Sequence, residues 1–332
     1  MRYGHFDDTR REYVITTPHT PYPWINYLGT EDFFGLISHT GGGYTFYKDA
    51  RMRRLTRYRY NNVPTDAGGR CYYIHDEGNV WSPTWSPVQN DLDHFEARHG
   101  LSYTTISGAS NGISCEITFL VPLGSTAEVH RMRLTNTTGD RRTFSVFSLA
   151  EFNLWNAADD TTNYQRNLSL AEVEVDGSTI YHTTEYRERR NHYAVYGVNT
   201  EVSGFDTDRE AFFGLRGSWA APAAVMDDTS RDSIASGWAP IGSHRVEVSL
   251  EGGATRDLVF VLAYVENPDD DKWESPGIVD KQRARDVLAR YATSDAVDEA
   301  LAVQRSHWDD LLSTMTVASG DPRLDRMVNI WN

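Results

Sequence analysis

Apolar and polar residues alternate with a period of two over most of residues 12–265. In residues 112–121, Ile113, Cys115, Ile117, Phe119 and Val121 fall on one face of an extended chain. Successive side chains of a strand point to opposite faces, so this run predicts a strand with one buried face. Residues 128–136 follow, with Val129, Arg131 and Arg133 on one side and Met132 and Leu134 on the other. The polar turn Thr137-Thr138-Gly139-Asp140 leads into residues 143–155, where Phe144, Val146, Ser148 and Ala150 interleave with Phe147, Leu149 and Glu151. Further strands are predicted over 172–175, 179–183, 193–198, 245–250 and 258–265. Asp176-Gly177 is a hairpin turn between two of them. So many strands without intervening helices predict a large sandwich of two antiparallel sheets. Residues 204–208 read as a turn, and the small, polar residues 220–236 as an insertion loop.

The period changes after residue 267, where Asn-Pro-Asp-Asp-Asp-Lys marks a domain edge. Ala284, Val287, Leu288 and Tyr291 then share one helical face, and Val297, Leu301, Trp308, Leu311 and Leu312 share another, with Ser294 as the expected N-cap. Gly320-Asp321-Pro322 opens a third helix whose apolar positions are Leu324, Met327, Val328 and Trp331. The expected division is a sandwich over 1–267, a helical linker over 268–313 and a further helical unit beginning at 314–332. That last helix is expected to have nothing to bury its apolar face, the mark of a chain severed from a following domain.

Composition narrows the function. With 32 basic and 47 acidic side chains the net charge is −15, which disfavours nucleic acid as a partner. An anion would need a local positive pocket against that field. Cys71 and Cys115 are far apart in sequence and are expected to be two buried free thiols. No run of about 18 apolar residues suggests a membrane span, and residues 1–8 lack the apolar core of a signal peptide. A cytoplasmic location without membrane contact is expected.

Two stretches carry candidate chemistry. Residues 12–61, EYVITTPHTPYPWINYLGTEDFFGLISHTGGGYTFYKDARMRRLTRYRYN, are dense in aromatic, Pro, Gly and Arg residues beyond what either a core or a surface needs. Tyr47, Lys48, Arg51, Arg57 and Arg59 form either a structural arginine network or a positive patch near a phosphate or sugar path; the structural reading is favoured. Residues 151–167, EFNLWNAADDTTNYQRN, turn abruptly polar after a hydrophobic strand. Their amides, hydroxyls and guanidinium suit sugar hydroxyls, and Trp155 and Tyr164 offer faces for stacking on a pyranose. The plainer alternative is a polar surface loop.

Both stretches resemble the glycoside phosphorylases of glycoside hydrolase family 94, and within it the enzymes that act on cellobiose. The similarity is specific in residues 13–35, 46–65 and 151–167 and covers essentially the whole chain. It implies a mainly β fold: a galactose-mutarotase-like super-sandwich, a helical linker and the first helix of a truncated (α/α)6 barrel. It also implies an inverting phosphorylase converting cellobiose and phosphate to glucose 1-phosphate and glucose, with phosphate as co-substrate and no cofactor. Asn156, Asn163, Gln165 and Arg166 match the family's sandwich loop that reaches the partner subunit's active site in a homodimer, and are implied to line the acceptor side. The family's general acid falls beyond Asn332, so this chain alone is expected to be inactive. The competing class is a free-standing, non-catalytic β-sandwich that binds carbohydrate or assembles with a partner.

Candidates within the chain for other chemistry are weaker. A glycosidase needs two carboxyl groups flanking the scissile bond, whereas an inverting phosphorylase needs one acid because phosphate is the nucleophile. Asp159/Asp160 and Asp206/Asp208 are local pairs, each expected to be non-catalytic. His75, His94 and His99 match no metal-ligand spacing. Gly41-Gly42-Gly43 lacks the Lys-Ser/Thr of a phosphate loop and reads as a turn.

Overall fold

The computed structural model describes residues 3–29, 31–58, 66, 68–161, 171–184, 191–237 and 239–331. Among these, two large antiparallel sheets stack face to face. One runs, in spatial order, from Gly4–Asp7 and Glu12–Ile15 through His94–His99, Tyr103–Ser110, Ile113–Leu120, Ala127–Asn136 and Thr255–Glu266. It continues to His192–Val198, Thr179–Thr184, Ala171–Asp176 and Ser236–Gly237. The other runs from Gly204–Asp208 through Pro240–Leu250, Arg142–Trp155, Arg54–Thr56, Gly43–Tyr47 and Phe33–Ser38 to Ile25–Leu28. Arg70–Asp76 also pairs with Arg142–Trp155, and Asn79–Trp81 pairs with Arg70–Asp76.

The predicted alternation decides which face meets which core. Ile113, Cys115, Ile117, Phe119 and Val121 all enter the core between the sheets, together with Met132 and Leu134. Val129 points the other way, into a second core where Val259, Val261 and Ala263 meet helices. Helix Gln282–Arg290 contributes Ala284, with Val287 and Leu288 half-buried; helix Ser294–Ser313 contributes Val297 and Leu301. The cap of the second helix is Thr293, whose hydroxyl accepts from the Ala296 amide, while Ser294 donates to Asp257. Asp257 already takes a bidentate clasp from Arg133, so the serine is drawn to a carboxylate on the sheet.

Residues 204–208 are a strand, not a turn: Gly204, Phe205 and Asp206 pair with Arg245, His244 and Ser243, and the register shifts before Asp208. Residues 220–236 contain the short helix Ala223–Met226. With helix Arg209–Phe213 it places Phe212, Phe213, Ala224 and Val225 in a third core, against Tyr73, Phe147 and Leu149. Cys71 and Cys115 are buried free thiols, the first pushed up to about 12 by burial. The tight turn at 41–43 needs glycine at Gly43, where φ is 141° and a Cβ would lie 1.9 Å from the Leu36 carbonyl oxygen.

Helix Pro322–Asn329 buries none of its residues and meets the sandwich through surface contacts. Asp321 caps it, Arg326 clasps Asp8 at 2.5 and 2.7 Å, and Trp331 packs against Phe6. Leu324 and Met327 remain half-exposed.

Candidate functional site

The strand Arg142–Trp155 ends where the polar stretch begins. At Trp155 the backbone takes a left-handed turn, φ 62°, which redirects the chain off the sheet. Asn156 follows, and its side-chain oxygen accepts from the amides of Ala158 and Asp159 at 3.0 and 3.2 Å. It thus caps the short helix Ala157–Thr161. The Ala157 amide donates to the Arg51 carbonyl at 2.7 Å, so the loop after Gly43–Tyr47 abuts this helix.

Beneath it lies a group of four charges, of which Arg57, Glu151 and Asp160 are buried and Arg209 is partly exposed. Arg57 Nε and Nη2 donate to the two oxygens of Asp160 at 2.6 and 2.7 Å, and Nη1 donates to Glu151 at 2.9 Å. Arg209 reaches the same Glu151 oxygen from the other side at 2.8 Å. The Arg57 amide also donates to the Glu151 carbonyl. Burial alone would raise Glu151, but Arg57 and Arg209 beside it hold it below the usual carboxylate range. Burial would likewise lower Arg57; Glu151 and Asp160 overcome it and hold the guanidinium charged. Two cations balance two anions, and forked arginine–carboxylate bonding is the strong geometry for such a cluster.

Neighbouring aromatics complete this end of the sandwich. Trp155 is buried, edge-on to His192 and Tyr264. Tyr47 stacks on Tyr264 with centroids 4.3 Å apart and planes 13° apart. A cleft of about 790 Å³ opens beside Tyr47, lined also by Lys48, Arg53, Glu266, Asn267 and Arg283. Under helix Ser294–Ser313 a second cleft of about 590 Å³ gathers Arg10, Arg11, Arg98, Arg131 and Arg305. Most of these arginines already have carboxylate partners: Arg11 meets Asp309, Arg98 meets Glu12 and Arg131 meets Asp298.

Of the four residues proposed to meet sugar, Asn156 is half-buried with its oxygen engaged as a cap. Asn163, Gln165 and Arg166 lie outside the described residues, as do Tyr164 and Arg59. Trp155 is corrected from a stacking platform to a core residue at 2% exposure. Asp160 belongs to the ion group, and Asp159 precedes it on a helix rather than a strand. Asp206 accepts from Ser233 and from the Arg231 amide, and Asp208 caps helix Arg209–Phe213, so both are committed to structure. His99 is buried between Thr104 and the Trp24 carbonyl and is brought down to about 4 by burial; His94 is exposed and His75 faces Asp228. The network reading of Arg57 holds, but its partners Glu151 and Asp160, 94 and 103 residues away in sequence, have no local signal.

Together these features define a class, the antiparallel super-sandwich. The family model of the glycosyl hydrolase 94 supersandwich domain matches residues 11–294, and the chain belongs to that family. An N,N'-diacetylchitobiose phosphorylase of Vibrio furnissii is 34% identical over the whole chain. A 3-O-beta-D-glucopyranosyl-beta-D-glucuronide phosphorylase of Paenibacillus borealis is 27% identical over 99% of it. In both cases the chain spans 40% of the relative's length. A solved structure assigned as a kojibiose phosphorylase from the human microbiome superposes with a TM-score of 0.52 at 10% identity. It covers 92% of this chain and 38% of its own, and shares the fold.

Proposed function

We propose that this chain is the N-terminal, sugar-recognising portion of an inverting phosphorylase of β-linked disaccharides. The observation that carries the reading is the family match over residues 11–294, joined to phosphorylases aligned along the entire chain. In the reaction a phosphate oxygen attacks the anomeric carbon while one carboxylic acid protonates the departing glycosidic oxygen, giving a sugar 1-phosphate and a free sugar. Residues 1–267 form the sandwich, 268–313 the linker, and 314–332 lead toward a catalytic barrel that supplies the general acid. Asn156, Asn163, Gln165 and Arg166 line the acceptor side across a homodimer interface, in the cytoplasm.

Resemblance in residues 13–35, 46–65 and 151–167 points to cellobiose. A second reading, N,N'-diacetylchitobiose, is favoured by two Vibrio relatives of that name at 34% and 32% identity. The test is release of sugar 1-phosphate from each disaccharide with inorganic phosphate, by the 332-residue chain and by the chain extended to its relatives' length. Turnover by the extended protein alone is expected. Losing a positioned acid typically costs about 10² to 10⁴ in rate, so robust phosphate-dependent turnover by the 332-residue chain overturns the division of labour. Sugar binding without turnover by either protein would support the non-catalytic module instead.

A further inference from the structure

We propose that Arg57 is a positioning residue for sugar recognition, setting the pose of Asn156–Thr161 through its clasp on Asp160. The proposal rests on the reading that this rim handles the acceptor sugar. A five-residue helix cannot hold itself, because nucleation fixes several residues for one hydrogen bond. Its pose must come from tertiary links, and Asp160, 1% exposed, supplies the strongest one described. Three of the Arg57 side-chain donors are used, two on Asp160 and one on Glu151. Arg209 holds Glu151 independently, so Glu151 stays paired when the Arg57 fork changes. The clasp therefore acts on the 156–161 segment more than on the sandwich behind it. Asn156, the cap of this segment, keeps its side-chain nitrogen unengaged by the cap bonds and is held at the rim by the same clasp.

Lysine keeps the charge but offers a point donor in place of a planar fork. Arg57→Lys is therefore expected to fold, with Asp160 only singly held. In the extended enzyme, KM for the acceptor sugar in the synthetic direction should rise about tenfold, the scale of one charged hydrogen bond, with kcat within about threefold. Arg133→Lys removes an equally bidentate clasp, on Asp257, and should leave both parameters unchanged. A merely structural role would lower the active fraction, and so kcat, without moving KM. In the 332-residue chain, Arg57→Lys should speed hydrogen exchange at the Ala158–Asp160 amides about tenfold and leave Thr255–Glu266 unaltered. If the protein binds sugar without turnover, the dissociation constant replaces KM. Unchanged exchange overturns the anchoring; faster exchange with unchanged KM overturns the link to sugar. Active enzyme with unaltered mutants sinks this proposal alone, whereas absence of both turnover and sugar binding sinks it together with the function above.

Discussion

Two charge clusters in this sandwich, one of two arginines with two carboxylates and one of arginine, glutamate, histidine and tyrosine, differ in placement. At the rim, Arg57, Glu151, Asp160 and Arg209 join a strand end, two short helices and the start of a loop. Between the sheets, the Tyr72 hydroxyl donates to His130 Nδ1 at 2.6 Å, His130 Nε2–H donates to Glu128 at 2.8 Å, and Arg70 meets the same carboxylate. Every member of this inner cluster sits on a strand already fixed by its ladder: Arg70 and Tyr72 on Arg70–Asp76, Glu128 and His130 on Ala127–Asn136. The inner charges add cross-sheet contact where the backbone is settled. The rim charges hold segments that no ladder holds. An ion cluster thus has most structural consequence where regular hydrogen bonding has run out.

Acid should act first on the buried histidines, of which His130 belongs to the inner cluster. Burial depresses His130, and it brings His99 to about 4 and His182 and His244 to about 3. The unfolded chain takes up these protons near pH 6.5 and the folded chain does not, so stability falls as pH drops below that value. Each histidine contributes about 1 kcal/mol per pH unit in its window. Glu128 and Glu151 are also depressed, and their contribution is present above about pH 4.5 and lost below it. Denaturation midpoints should therefore decline from pH 6.5, before the rim cluster titrates; a flat profile down to pH 5 would contradict this order. Next in size, Arg57→Ala leaves Asp160 buried without its fork and should cost about 3–5 kcal/mol in urea unfolding. Replacing the inner Arg70, Tyr72, Glu128 and His130 together by Met, Phe, Leu and Phe removes charges and partners at once and should stay within about 2 kcal/mol of the native protein. Equal losses in the two experiments would erase the distinction. Smallest, Asn156→Ala deletes a cap and should cost about 1 kcal/mol, confined to exchange at Ala157–Thr161.

Much of the fold is legible in period-two alternation, because the cores lie on opposite faces of the same strands. Residues 112–121 and 128–136 show it well: Ile113, Cys115, Ile117, Phe119, Val121, Met132 and Leu134 enter the core between the sheets, while Leu120 and Val129 enter the one behind. The failures share a cause. Gly204–Asp208 is polar because Asp206 satisfies the amides of Arg231 and Ser233 across a bridge from distant sequence, and composition alone reads such a strand as a turn. Trp155 is exposed by its polar neighbours in sequence and buried by Tyr264 and His192 in space. The rim cluster mixes both situations. The unusual arginine content of residues 12–61 is visible, but its pairing with 151 and 160 depends on strand Arg142–Trp155 arriving beside Arg54–Thr56. Local spacing contains no record of that meeting.

The strand Arg142–Trp155 has a consequence for how this domain can vary. Phe144, Val146, Ala150 and Phe152 fill the core between the sheets, while Phe147 and Leu149 fill the one behind. Both faces are spoken for, and Glu151 and Trp155 must arrive at fixed places at its end. Deleting or adding one residue here would exchange the two faces wholesale and rotate the carboxylate away from both arginines. An inserted residue is thus expected to be tolerated in the loops flanking the strand and not within its 14 residues.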